Sequence, residues 1–398
     1  MVQPQTDCKR YFPALQSGFV YLDNAAGSQV PRHTIQAISD FLSIGSSNVG
    51  QLHPASRRAG EVKERARLET AHFLGCDPSE VVFGQSATHL TFGLARAFSR
   101  LWGPGDEVVV SGLEHEANAS PWRNLEKIGV RVKVWEARWP EGRLWLEDLR
   151  PLLSPQTRLV AITAASNLLG TLTDVKGAVE AAKSVGAWTV VDTVAYSPHH
   201  LPDVKGWGAD FVFFSAYKVF GPHLAFLYVR RELIPELPTD KLWFIPDDSP
   251  LKFEPGTAQH ELLAGWLGSL EYLREVLGGG IAGREGLERA YAWIEEIEGD
   301  LIQDALAGLE ALSKVKLYGL PTAEGRTATF CFSVEGYHPR EVEARLLEAG
   351  IGVSTGHCYA TLPAQSLGIF PEASLRASLV HYNTREDLER FLGVLERL

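Results

Sequence analysis

The sequence predicts an α/β protein of two domains: a large one built on a mostly parallel mixed sheet, and a smaller C-terminal α+β one. Three observations predict it. Between about residues 80 and 230, short β-rich runs alternate with amphipathic helical patterns, as in strands joined by helical crossovers. Past Gly278, Gly279 and Gly280 the alternation gives way to a long charged helix, then strands and helices in mixed order. At 398 residues the chain is longer than one core usually serves. The expected division gives residues 20–260 to the large domain and residues 1–19 with 261–398 to the small one, connected by the long helix.

In chain order, Glu80–Phe83 reads as a strand before a turn carrying Ala87 and Thr88. Further strands follow at Glu107–Ser111, Arg131–Trp135, Arg158–Thr163, Trp188–Asp192, Asp210–Phe214 and Ala225–Val229, each rich in β-branched and aromatic residues. Between two of them a helix is marked by Thr173 as N-cap, by Val175, Ala178, Val179 and Ala182 at helical spacing, and by Gly186 as stop. Arg230–Gly256, rich in Pro and Asp and carrying Leu242, Trp243 and Phe244, reads as a long loop of the kind that serves function or a partner. The small domain then takes a helix over Glu285–Ser313, a strand over Thr327–Val334, a helix over Pro339–Ala349, a strand over Leu375–Tyr382 and a terminal helix.

Composition narrows the function. The net charge of −11 argues against a phosphate-backbone binder, so nucleic acid is not expected as a partner. No apolar run approaches a membrane span and the first residues carry no apolar leader core, so a cytoplasmic protein without membrane contact is expected. Cys8, Cys76, Cys331 and Cys358 are scattered without ligand spacing, so neither a metal site nor a disulfide framework is expected. Cys331, within an alternating run, reads as a small buried strand residue.

The chemistry concentrates at two strand ends. Asp192 closes one apolar strand, and Lys218 lies just past the next, in Ser215-Ala216-Tyr217-Lys218. In open α/β sheets ligands bind outside the carboxyl ends of the strands, so both residues converge there. A lysine amine condenses with an aldehyde cofactor, and a carboxylate beside a pyridine nitrogen keeps it protonated, making the ring an electron sink. Singly, such an Asp is more often a turn residue and such a Lys a solvated one. The conjunction points to chemistry.

Seven segments in register extend the pattern: Tyr21–Gly27, Glu114–Asn118 with Pro121 and Trp122, Ser166–Gly170, the Asp192 strand, Ser215–Lys218, Phe253–Thr257 and Leu375–Thr384. Together they resemble the class V aminotransferase family, in particular its cysteine desulfurase-like branch, over nearly the whole chain. The resemblance implies the fold-type-I architecture of transferases dependent on pyridoxal 5'-phosphate. It further implies that Lys218 holds the cofactor as a Schiff base and shuttles a proton, that Asp192 holds the ring nitrogen, that His115 stacks on the ring and that Asn167 bonds its hydroxyl. Ala87, Thr88, Ser215 and Tyr217 would bind the phosphate, helped by Thr257 from a second subunit, which implies a homodimer with shared active sites. Asn24, Ala25 and Arg376 would meet the substrate, Arg376 clamping its carboxylate. Outside such a set, His115 is read as a core histidine, Arg376 as a surface strand residue, and Ser86 and Thr88 as helix caps.

Three departures bear on the reaction. Where that branch carries a glutamine three residues after the aspartate, this chain has Ala195, with Tyr196 or Tyr217 as replacements. The histidine before the lysine is Tyr217. In the Val353-Ser354-Thr355-Gly356-His357-Cys358-Tyr359 run, Cys358 stands one position before that of the sulfur-accepting cysteine, Tyr359 takes that position, and Ser354 stands for an arginine. Expected chemistry is therefore carbon–sulfur cleavage on a small amino acid such as cysteine, with Cys358 as candidate catalytic thiol. Transamination or epimerisation is the alternative, and a non-catalytic scaffold of the same fold the third reading.

Overall fold

The computed structural model describes residues 8–371 and 374–398. A short strand, β1 (Val20–Tyr21), precedes two helices, α1 (Arg32–Ile44) and α2 (Pro54–Leu74). The large sheet follows, with β2 (Val81–Gly84), β3 (Glu107–Ser111), β4 (Arg131–Trp135), β5 (Thr157–Thr163), β6 (Trp188–Asp192), β7 (Phe211–Ser215) and β8 (Ala225–Val229), in the order β2-β8-β7-β6-β5-β3-β4. β3 to β7 run parallel to one another, and β8 runs antiparallel to both β7 and β2. The order reverses between β3 and β5, which opens a crevice at their carboxyl ends.

These strands read as continuous apolar runs because both faces are buried. Val109, Ile162, Val191, Val212 and Phe214 face one core, and Val108, Val110, Ala161, Val190 and Phe213 face the other. The second core packs under α3 (Ala87–Phe98) and Trp122, while the first packs under α2 and the helix His260–Tyr272. There Trp266 lies against Phe73, Phe214 and Phe226 and donates its indole N–H to Thr70 Oγ1 at 2.9 Å.

The smaller region holds β9 (Val315–Tyr318), β10 (Thr329–Val334), β11 (Ile351–Gly352), β12 (Ser354–Gly356) and β13 (Ser374–Ser378). β12-β13-β10-β9 form an antiparallel sheet, and β11 pairs in parallel with β1. Arg376 faces Ser354 across one strand pair and Cys331 across the other, so these three side chains share a face.

Several expectations shift. The expected division between domains does not coincide with the cores. Cys8, Phe12, Leu15 and the helix His260–Tyr272 beyond its first residue, assigned by sequence to the small domain, pack into the large one, while Val20 and Leu22 join the small core; the first seven residues of that assignment lie outside the described ones. The long helix, Gly283–Ala311, bridges both: Leu287, Tyr291 and Ile294 enter the large core, Leu301, Ala305 and Leu309 the small one. The N-cap of the helix Val175–Lys183 is Asp174, whose carboxylate takes the Gly177 N–H at 2.9 Å, whereas the Thr173 N–H is bonded to Ala164 O. The strand expected to reach Tyr382 ends at Ser378, because Asn383 Oδ1 takes the Val380 N–H at 3.0 Å and turns the chain. The segment 230–256 is a loop with two short 3-10 turns, and Leu242, Trp243 and Phe244 stand exposed on it. No helix among the described residues is long and apolar enough to cross a membrane.

Candidate active site

A cavity of about 530 Å³ opens at the carboxyl ends of β5, β6 and β7. Its floor is Thr163, Asp192 and Ser215, the last residues of those strands; one wall is the start of α3 with Ala87 and Thr88. The roof comes from the small sheet, with Ser354 and Arg376, and from the turn after β12, with Cys358 and Tyr359. Among the described residues, no group of three His, Cys, Asp or Glu side chains is placed to hold a metal ion.

Lys218 ends a 3-10 turn that follows β7 directly, so β7 aims it into the cavity. Its ammonium donates to Ala25 O, and Nζ lies 5.2 Å from the centre of the Tyr217 ring. Burial, and then the positive charge of Arg376, push Lys218 down to about 7, against Asp23 and Asp192, which raise it. Asp192 is buried, accepts the Val194 N–H at 2.8 Å, and is driven up to about 7 by burial, against that hydrogen bond and Lys218. An aldehyde condenses with the neutral amine alone. Condensation of Lys218 with a pyridine aldehyde is therefore expected to speed up as pH rises to about 7 and to level off above it, followed by the growth of the imine's absorption band. A rate that still climbs tenfold per pH unit from 7 to 9 would mean an ordinary, solvated lysine.

His115 sits on the turn after β3, where Nδ1 accepts the Ala117 N–H at 3.0 Å; the neutral ring then carries its proton on Nε2. Burial and Lys218 push His115 down to about 4, so at neutral pH it presents an uncharged aromatic face. Glu114 holds this turn: its buried carboxyl accepts from Ser111 Oγ at 2.7 Å and Asn118 Nδ2 at 3.0 Å. Burial, reinforced by Asp192, raises Glu114 well above the usual carboxylate range.

Asn167 donates from Nδ2 to Cys358 O at 2.8 Å, while its buried Oδ1 has no protein partner among the described residues. Ser86 caps α3 by accepting the His89 N–H at 3.1 Å, and first-turn N–H groups beside it, those of Ala87 and Thr88, suit an anion. Tyr217 lines the cavity with its ring stacked on His223, 4.7 Å between centroids. Ala195 lines it too, whereas Tyr196 packs on His200 and Trp207 outside the lining. Of the two tyrosines considered for the missing amide, Tyr217 alone stands in the cavity.

Arg376 donates from Nη1 to Asn167 O at 2.9 Å and from Nη2 to Asp23 Oδ1 and Ser354 Oγ, both at 3.2 Å. The Cys358 thiol lines the cavity on a tightly turned loop. Cys358 and Tyr359 both take left-handed backbone (φ 49° and 57°), and Tyr359 O accepts the Glu116 N–H at 2.8 Å. Burial pushes Cys358 up, against Arg376 and Lys218, so it stands as a thiol at neutral pH. Cys331 is buried as expected from its strand, with Sγ 2.9 Å from Ser374 Oγ.

Thus Lys218, Asp192, His115, Asn167, Ser215 and Tyr217 meet in one cavity with Ala25, Ala87, Thr88, Cys358 and Arg376. Asn24 and Thr257 do not. Asn24 is buried and engaged with its own chain, donating to Ser378 O at 2.6 Å and to Asn383 Oδ1 at 3.1 Å, and accepting from Tyr382. Its amide clamps the turn after β1 to the turn after β13, and Ala25 beside it lines the cavity. Thr257 lines a separate small groove with Phe253 and Gly256. The sequence reading missed Asp23, Ser354 and Glu114 as functional groups. Glu114 stood in a quoted motif beside His115, and its burial next to Asp192 is the signal that only the fold displays.

The profile of the family described as aminotransferase class-V matches residues 20–391. An aminotransferase-like protein of Gibberella zeae is 32% identical over 97% of this chain and 96% of its own length. A cysteine desulfurase of Yersinia pseudotuberculosis is 31% identical over 95% and 93% respectively. Among solved structures, the apo cysteine desulfurase of Thermococcus onnurineus is similar with a TM-score of 0.88 and 29% identity, over 98% of this chain and 96% of that one.

Proposed function

Since the chain belongs to the class V aminotransferase family and is a pyridoxal-phosphate enzyme, we propose that it acts on a small amino acid through Lys218, with carbon–sulfur cleavage of cysteine or a cysteine conjugate as its reaction. One observation carries the reading: the Lys218 amine, the Asp192 carboxyl and the Cys358 thiol, from three distant segments, line one cavity roofed by Arg376.

The cavity fits the cofactor on its own terms. It offers an amine shifted to about 7, a buried carboxyl for a ring nitrogen, an Asn167 Oδ1 without a partner among the described residues for a ring hydroxyl, the neutral face of His115, and a helix start for a phosphate. When bound, pyridoxal phosphate supplies the electron sink that lets a bond at the α-carbon break. Lys218 then holds or returns a proton at the α-carbon, a task suited to an amine tuned near neutrality. Asp192 keeps a positive charge on the ring nitrogen, and His115 holds the ring plane. Arg376 orients the substrate carboxylate. Cys358 takes the sulfur: cysteine and the enzyme thiol yield alanine and a persulfide on Cys358, which a thiol reductant in solution discharges as sulfide. The protein works as a cytoplasmic homodimer in this reading, since Thr257, outside its own cavity, meets a phosphate only across a dimer, and the exposed Leu242, Trp243 and Phe244 offer an apolar contact.

The test is incubation with L-cysteine and a reductant, measuring alanine and sulfide together. Wild type is expected to release both, and Cys358→Ala at least about a hundredfold less. Unchanged release by the variant excludes the persulfide route. No release by wild type favours transamination or epimerisation, which need no thiol; the raised Cys358 and its carbonyl anchored on Asn167 are the observations on that side.

A further inference from the structure

Arg376 is the group to which the proposed function gives the substrate carboxylate, and its donors are already engaged. Nη1 is bonded to Asn167 O and Nη2 to both Asp23 Oδ1 and Ser354 Oγ; only the buried Nε has no partner among the described residues. The Ser354 hydroxyl in turn donates to Asp23 Oδ1, closing a triangle. Chain geometry holds each corner: Ser354 and Arg376 are register partners between β12 and β13, and Asp23 bridges to Ser378, two residues beyond Arg376.

The two charges differ in setting. The Arg376 side chain is 3% exposed and that of Asp23 is 25% exposed. A substrate carboxylate arriving at Arg376 would put two carboxylates on one buried guanidinium, and like charges at such range repel strongly. Asp23 has somewhere else to go, because it already meets Ser354 and reaches solvent.

We propose that Asp23 is a specificity-determining residue: a resident carboxylate that occupies Arg376 in the empty site and exchanges with the carboxylate of the substrate, retreating onto Ser354 and water. The proposal rests on the reading that Arg376 receives that carboxylate. The exchange sets a threshold, since a ligand must outcompete an internal carboxylate. Free carboxylates pass; amides and esters lack the charge to displace Asp23.

The test uses the cofactor-loaded protein and two probes without an amine, propionate and propionamide, with dissociation constants from isothermal titration calorimetry. Asp23→Asn is expected to bind propionate about tenfold more tightly than wild type, the low end of what a neighbouring like charge does to an ionic equilibrium. Ser354→Ala, which removes the alternative hold on Asp23, is expected to bind it a few-fold more weakly. Propionamide is expected to bind weakly to wild type and to Ser354→Ala, and to gain affinity in Asp23→Asn, where no resident carboxylate has to be displaced. Equal or weaker propionate binding by Asp23→Asn overturns the proposal; if that variant does not fold, unchanged or tighter binding by Ser354→Ala does. Propionate binding that survives Arg376→Ala overturns the carboxylate role of Arg376 and the proposal with it. The cofactor's absorption band, recorded on the same samples, reports separately on the Lys218 reading.

Discussion

Lys218→Ala protein, purified in the presence of pyridoxal phosphate, is expected to show no visible band from a lysine-bound cofactor and to lose activity toward every amino acid by at least about a thousandfold. Among the described residues lining the cavity, Lys218 is the only lysine, so no neighbouring amine can take over. Its place at the end of β7 and its near-complete burial keep the amine close to neutrality, which a surface lysine would not share. Lys218→Arg separates charge from chemistry: it keeps a cation beside Asp192 and Asp23 but cannot condense with an aldehyde, so it should fail as fully as alanine. A band that persists in both variants would place the cofactor's attachment elsewhere.

Asp192→Asn is expected to slow exchange of the α-proton of L-alanine into deuterated water by about 10²–10³-fold, the range found when one preorganised electrostatic partner is removed. Asparagine keeps the shape and can still accept the Val194 N–H, so the fold should survive, and a thermal midpoint close to that of wild type checks this. What is lost is the charge. Burial holds Asp192 at about 7 in the protein alone, and a cationic ring nitrogen held beside it would pull it down and keep the carboxylate charged. Proton exchange followed by NMR reads this without requiring sulfur chemistry. Exchange in the variant within about fivefold of wild type would remove Asp192 from the role, because a charged partner is worth more than that.

Much of the site was legible because strand ends are local features. Asp192 closes a short, nearly continuous apolar run that marks a strand buried on both faces, and Lys218 follows the next run after one short turn. The rule that ligands gather at such ends then brings the pair together without coordinates. Helix caps were less secure. Thr173 and Asp174 both suit a cap, and the choice went to Asp174 because the Thr173 backbone is drawn to Ala164. The strand expected to run to Tyr382 has the same lesson, since the Asn383 side chain turns the backbone from a distance that alternation does not reveal.

The amino-acid sequence by itself determined the strands of the large sheet, the long connecting helix and the two residues that meet in one cavity beyond the carboxyl ends of β6 and β7, since apolar runs and strand punctuation are written along the chain. Only the tertiary structure decided that Asn24 is a clamp, that Thr257 lies outside its own cavity, that Glu114 is buried beside Asp192, and that Asp23 and Ser354 already hold Arg376. Those facts depend on which strands pair and in what register, and on how deeply each charge is removed from water. Partners separated by hundreds of residues, such as Asp23 and Arg376, are set by the packing of the whole fold.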